Sequence, residues 1–282
     1  METFKLNDGN TIPAVGFGVF MIPNDGPTYD AVLAALKAGY RHIDTAAGYM
    51  NESDVGKAIK DSGVDRKEIF ITSKLWLQDY GYENAKKGIE TSLKLLGVDY
   101  IDLYLLHQPY GDYLGAWKAL EEAKEEGKIK SIGISNVTVN LWNKFKGGMK
   151  IMPAVNQVEF NPFVQQTALR EVMKEHDIRL EAWFPLGHGN KDLLENETIV
   201  SLAEKYNKNA GQIILRWIYQ EGVISLPKST NENRMKGNID IFDFALTDEE
   251  MAKMRALDTN KPSHNPEDPA NETRLMGMKI HD

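Results

Sequence analysis

The 282-residue chain contains no cysteine. That absence excludes thiol nucleophiles, disulfides, iron–sulfur clusters and thiolate zinc, and it fits a reducing compartment. Nor is there a stretch near the roughly 18 uninterrupted apolar residues of a membrane span. The opening residues, Met1–Asn10, lack a basic region followed by an apolar one, so they do not read as a signal peptide. The expectation is a cytoplasmic protein without membrane association. Metal-ligand spacing is missing too. None of His42, His107, His176, His188, His264 and His281 forms an H-x-H or an i, i+4 pair, so no metal site is expected. Gly133-Ile-Ser-Asn-Val137 starts like a nucleophile elbow but lacks its second glycine.

What is present has ordinary globular proportions, 42% hydrophobic and 26% charged, which excludes a disordered chain. The net charge of −8 disfavours phosphate backbones, and no basic patch stands out. The lysines of Lys118–Lys130 are interleaved with Glu121, Glu122, Glu125 and Glu126, a solvated helix face. Nucleic acid is not an expected partner. No long apolar edge or heptad run is visible, so a monomer is expected.

Asp8-Gly9 between two short apolar runs signals an N-terminal hairpin. A rhythm of buried strands then follows: Tyr40–Ile43, Ile69–Thr72, Ile101–Leu106, Ile129–Ile134, Ala154–Val158, Arg179–Trp183 and Val223–Leu226. Helical patterns lie between them, at Tyr29–Ala38, Ala85–Leu96, Tyr113–Glu126, Gln165–His176 and Glu195–Gln220. Alternation at this spacing implies βα units on a parallel sheet. An eighth strand around Phe242–Phe244, before a helix over Thr247–Leu257, would close an α/β fold of the (β/α)8 TIM-barrel type. The alternative, a doubly wound dinucleotide fold, fails on context. Gly16-Phe17-Gly18 has methionine where the third glycine belongs, and it precedes the first βα unit. The expected organisation is one barrel domain over residues 1–282, with 258–282 an extended C-terminal loop.

Chemistry in such a barrel sits at the C-terminal strand ends. There the chain delivers Asp44, Lys74, His107, Ser135-Asn136, Gln157, Trp183 and Lys228-Ser229. Singly, each has a duller explanation: a capping aspartate, a surface lysine, a core histidine. Asn51, with Asp54 three residues later, reads as a helix cap. Delivered together to one rim, the polar set points to a site.

The sequence around these positions resembles the aldo-keto reductases. The resemblance is carried by Tyr40-Arg-His-Ile-Asp44-Thr-Ala-Ala-Gly-Tyr49-Met-Asn-Glu52, Leu105-Leu-His107-Gln-Pro109, Gly133-Ile-Ser135-Asn136, Val155-Asn156-Gln157 and Leu226-Pro-Lys228-Ser-Thr-Asn-Glu-Asn-Arg234-Met-Lys-Gly-Asn238. Trp76 and Gly81-Tyr82-Glu83 look most like the bacterial 2,5-diketo-D-gluconate reductase branch.

The resemblance implies NADPH-dependent reduction of aldehydes and ketones: small dicarbonyls, aldehydes or keto-sugars. Tyr49 would be the general acid, Lys74 the cation that lowers its pKa, Asp44 the partner of Lys74, and His107 the group orienting the carbonyl oxygen. NADP(H) would be held by Gly18, Val19, Phe20, Asp44, Ser135, Asn136, Gln157, Trp183, Phe184, Leu186, Lys228, Ser229, Thr230, Arg234 and Asn238. Trp183-Phe184 stands where the family usually has Tyr-Ser, and Gly237 where it often has Glu. Lys228 and Arg234 suit a 2′-phosphate. Phe20, Tyr49, Trp76, His107 and Tyr110 would form the substrate wall. Two other classes stay open: a nonenzymatic NADPH-binding module, and a barrel lyase or isomerase using Lys228-Ser229-Thr230 for substrate phosphate.

Overall fold

A computed structural model describes residues 2–282. Strands β1 (Thr3–Lys5) and β2 (Thr11–Pro13) form the expected antiparallel hairpin, with Thr3 opposite Pro13. Gly9 takes φ 89° in its turn, a conformation open to glycine without strain. The hairpin plugs the bottom of a barrel: Leu6 and Ile12 pack with Phe70, Leu103, Val155 and Ile224 in a separate apolar cluster.

Eight parallel strands follow: β3 (Phe17–Gly18), β4 (His42–Asp44), β5 (Phe70–Leu75), β6 (Ile101–Leu106), β7 (Ile129–Ser135), β8 (Val155–Glu159), β9 (Arg179–Trp183) and β10 (Ile224–Ser225). They pair in chain order, and the two end strands meet through the parallel bridge Val15–Ser225. Gly16 donates to the Ser225 carbonyl at 2.8 Å and Ser225 to that of Ala14 at 3.0 Å. The (β/α)8 barrel is thereby closed.

The eighth strand is therefore Phe17–Gly18, and Phe242–Phe244 is not a strand. Gly16 has a steric purpose: a Cβ there would lie 2.6 Å from His42 Nδ1 and 2.7 Å from Leu226 Cδ2, so no side chain fits at that point of the seam. Helix α1 spans Pro27–Ala38, α2 Glu52–Asp61, α3 Tyr82–Leu96, α4 Tyr113–Glu125, α5 Val139–Phe145 and α6 Thr167–Glu175. These alternate with the strands and bury Trp117 and Trp142 completely.

After β9 comes the short α7 (Lys191–Leu194), and the single expected helix over Glu195–Gln220 is two, α8 (Glu197–Tyr206) and α9 (Ala210–Gln220). Asn207 enters the left-handed region at φ 52°, and Asn209 opens α9 with a capping box to Gln212. Helices α10 (Glu232–Ile239) and α11 (Asp248–Arg255) follow β10. The tail is not purely extended, because α12 (Pro269–Met276) starts at Pro269 behind the capping side chain of Asp268. No helix among the described residues is long and apolar enough to cross a membrane.

Candidate active site

Strand residues alternate between the helix layer and the interior. Along β4, β5, β8 and β9 the interior set is polar at the top: His42 and Asp44, Thr72 and Lys74, Gln157, Glu181 and Trp183. The Lys74 Nζ donates to Asp44 Oδ1 at 2.7 Å, to the Thr45 carbonyl at 2.8 Å and to the Tyr49 hydroxyl at 3.2 Å. Tyr49 reaches this point on a single 3-10 turn, Ala47–Tyr49, just beyond β4. His107 follows β6, its ring 5.5 Å from Tyr49 and 5.2 Å from Trp76, edge-on to both. Asp44, Tyr49, Lys74 and His107 thus surround one point.

Their protonation follows from burial and neighbours. Burial, the largest single effect, acts to strip the Lys74 ammonium, but the contacts from Asp44 and Tyr49 together outweigh it and hold the group above its ordinary value. Burial also keeps His107 neutral, with Lys74 adding to the effect, and its Nδ1 is buried without a partner. At Tyr49 two effects compete. Lys74 pulls the Tyr49 hydroxyl down, but burial raises it by more, so the phenol lies above its usual value. Such a phenol stays protonated until a stronger base, such as an alkoxide, forms beside it. The group is therefore suited to deliver a proton to an alkoxide.

The mouth is aromatic. Phe20 lies 5.0 Å from the Tyr49 ring and 6.3 Å from Phe184, and the Phe184 ring lies 3.5 Å from that of His188, tilted by 58°. Phe184 occupies the left-handed region at φ 53°, a costly place for a bulky side chain, where neighbours on both sides hold it. Trp76 donates its indole N–H to the Met278 carbonyl at 2.9 Å, so the tail forms part of the wall. Tyr110 is buried beneath that tail, and its hydroxyl lacks a partner.

Sequence reasoning missed several contributors. Asn51 does not cap α2; its side chain accepts from Thr45 Oγ1 at 2.7 Å and donates to the carbonyls of Val19 and Ile22. It therefore pins the loop of Gly18, Val19 and Phe20 to the loop that carries Tyr49. Asp54 caps elsewhere, accepting from the Gly26 amide. Glu181 is a second buried carboxyl under the site. Its signal was legible: a charged residue in the middle of an otherwise apolar strand. Met278 carried no such signal, because its backbone makes the contact.

The residues expected to hold a dinucleotide fit one. Gln157 Oε1 has no hydrogen bond among the described residues, and Ser135 Oγ, which donates to the Gln157 carbonyl at 2.9 Å, keeps its lone pairs. The Trp183 indole is half-buried, a platform for a flat ring. Leu186 lies 3.8 Å from the position of a Cβ on Gly211, against the start of α9. Lys228, Thr230 and Arg234 are exposed, and neither cation pairs with a carboxylate among the described residues. Ser229 Oγ accepts from the Asn231 amide at the start of α10. Asn238 is buried against the Tyr40 hydroxyl, one turn beyond Arg234 on α10. No cluster of His, Cys, Asp or Glu among the described residues could hold a metal.

Comparisons with known proteins agree with this geometry. The Aldo/keto reductase family profile matches residues 15–259. A Bacillus subtilis (strain 168) protein named glyoxal reductase is 48% identical over 261 residues, covering 92% of this chain and 94% of that one. An aldo-keto reductase from a Medee basin deep-sea metagenome is 44% identical, with a TM-score of 0.90 and coverage of 93% and 97%. A Bombyx mori aldo-keto reductase in complex with NADP is 36% identical, with a TM-score of 0.88 and 96% of each chain covered.

Proposed function

Because the chain belongs to the aldo/keto reductase family, we propose that it reduces small dicarbonyls, aldehydes or keto-sugars to alcohols with Tyr49 as general acid. Membership makes it an NADP(H)-dependent oxidoreductase acting on carbonyl groups. The observation that carries the finer reading is the three-way contact of Lys74 with Asp44, Thr45 and Tyr49.

The cofactor supplies the hydride when bound. The chain supplies the rest. His107, neutral, and Tyr49 donate hydrogen bonds to the carbonyl oxygen, which fixes its position and stabilises charge as it develops there. Tyr49 then gives its proton to the alkoxide. Lys74, held charged by Asp44, stabilises the phenolate that remains. Trp183 would support one face of the nicotinamide ring, with Ser135, Asn136 and Gln157 at its amide, and Lys228 and Arg234 would receive the 2′-phosphate. Phe20, Trp76 and Tyr110 exclude water around the substrate. A wall with so few fixed charges supports broad acceptance of small carbonyl compounds. The relative named glyoxal reductase supports the dicarbonyl end of that range.

The same reading takes residues 1–282 as one domain acting as a cytoplasmic monomer without nucleic-acid partners. A screen of glyoxals, benzaldehydes and keto-gluconates with NADPH and with NADH tests it. NADPH oxidation on at least one class, with NADH weaker, is the expected result. Tight NADPH binding without turnover on any carbonyl would contradict it.

A further inference from the structure

Strand β9 carries a carboxyl group that proton transfer to the substrate does not use. Glu181 is completely buried and, by strand alternation, points into the barrel with Trp183. Its Oε2 accepts from Gln157 Nε2 at 2.7 Å, and the same nitrogen donates to Asp44 Oδ2 at 2.9 Å. A primary amide nitrogen has two hydrogens. Both are committed, one to each carboxyl group. Exchanging the amide oxygen and nitrogen would set the oxygen against the Asp44 carboxylate, so that partner fixes the assignment.

Asp44 alone would fix one N–H and leave the amide free to turn about that bond, offering the other N–H to the mouth. We propose that Glu181 is a positioning residue of the cofactor site. By taking the second N–H of Gln157 it leaves only Oε1 exposed, so that a nicotinamide ring amide is recognised through its own N–H. This rests on the reading that the ring lies over Trp183 beside Gln157.

The groups facing Glu181 set its charge. Its Oε1 lies 3.8 Å from His42 Nε2, which is itself 2.9 Å from Thr72 Oγ1. Burial holds His42 neutral, its pKa lowered to about 3. Burial, and then the charge of Asp44, push the Glu181 carboxyl up to about 8, so at neutral pH it is an uncharged acid whose Oε2 still accepts. Lys74, beyond Asp44, is then left with a single anionic partner.

The test compares NADP+ with its 3-acetylpyridine analogue, in which a methyl replaces the amide nitrogen. Dissociation constants are read from quenching of intrinsic tryptophan fluorescence. The wild-type protein should bind the analogue tenfold to a hundredfold more weakly, because Gln157 Oε1 is left unpaired. Glu181→Gln, which keeps an acceptor, should preserve that ratio. Glu181→Leu should reduce it to about threefold or less; Glu181→Ala serves instead if the leucine variant shows no cooperative thermal transition. A full preference retained in the folded Leu or Ala variant would overturn the proposal, as would a wild type that binds both nucleotides equally. A wild type that binds neither would overturn the site assignment and this inference with it.

Discussion

Trp183 donates its indole N–H to Asn136 Oδ1 at 3.0 Å, joining the end of β9 to the end of β7. Asn136 is held there at φ 59°, its Nδ2 shared between the His107 carbonyl and Gln108 Oε1 at 3.3 Å each. The indole is thus both a stacking face and a strut. The ring offers a flat surface, and its N–H orients Asn136.

Trp183→Phe separates the two roles. It keeps a ring for stacking and removes the donor. A neutral hydrogen bond is worth about 0.5–1.5 kcal/mol, so NADP+ should bind roughly two- to tenfold more weakly, while kcat changes less. Fluorescence is compromised in this variant, so the measurement is titration calorimetry. Unchanged affinity would remove the strut from the account.

Lys228 and Arg234 should discriminate between the two nicotinamide dinucleotides. Charge-assisted bonds are worth about 1.5–3 kcal/mol, so alanine at either position should raise KM for NADPH by roughly tenfold to a hundredfold. KM for NADH should move by less than about threefold. Equal losses with both would show that these side chains do not meet the 2′-phosphate.

Glu181 links stability to pH. Its folded-state pKa, about 8, lies above the ordinary glutamate value of 4.5. Below pH 4.5 both states hold the proton and burial adds no pH-dependent cost. As pH rises toward 8 the unfolded chain releases the proton first, so the folded state loses relative stability. Glu181→Gln removes that loss. The Tm of the variant minus that of the wild type should therefore be more positive at pH 8.5 than at pH 4.5. An identical difference at both would contradict the buried neutral acid.

The tail is fastened beside the substrate wall by His281, whose Nε2 lies 2.9 Å from Asp79 Oδ1, and by Gln78 Nε2, which donates to the His281 carbonyl at 2.8 Å. The Asp282 carbonyl and Asp79 both raise the His281 pKa above its ordinary 6.5. The charged contact is therefore complete below pH 6.5 and lost as pH rises through the folded value. Limited proteolysis of the tail should be faster at pH 8.5 than at pH 6, and Asp79→Asn should reduce that difference. Equal rates in the wild type would show that the pair does not fasten the tail.

Much of this was legible in the sequence, because buried parallel strands are short apolar runs and their ends carry the polar residues. Asp44, Lys74 and Gln157 each terminate such a run, and the structure joins them through hydrogen bonds. The seam was not legible. Two residues suffice for β3 because the barrel closes on backbone contacts to Ser225 and Pro227, which leave no periodicity to read. Phe242–Phe244 suggests a strand by its place before the helix expected over Thr247–Leu257; Phe244 packs instead against Tyr206 at 5.1 Å. Asn51 misled for a related reason. Its cap signal is local, but its side chain is taken up by carbonyls from a distant loop. The raised Tyr49 pKa was likewise hidden, since it depends on how deeply the phenol is buried.

The central claim is that Tyr49 delivers the proton, and Tyr49→Phe tests it most directly. The variant should bind NADPH with wild-type affinity, because the hydroxyl meets Lys74 and the substrate. NADPH-dependent reduction of the best carbonyl substrate should fall by roughly 100-fold or more, the scale of a lost general acid. Reduction by the phenylalanine variant at near wild-type kcat would contradict the account.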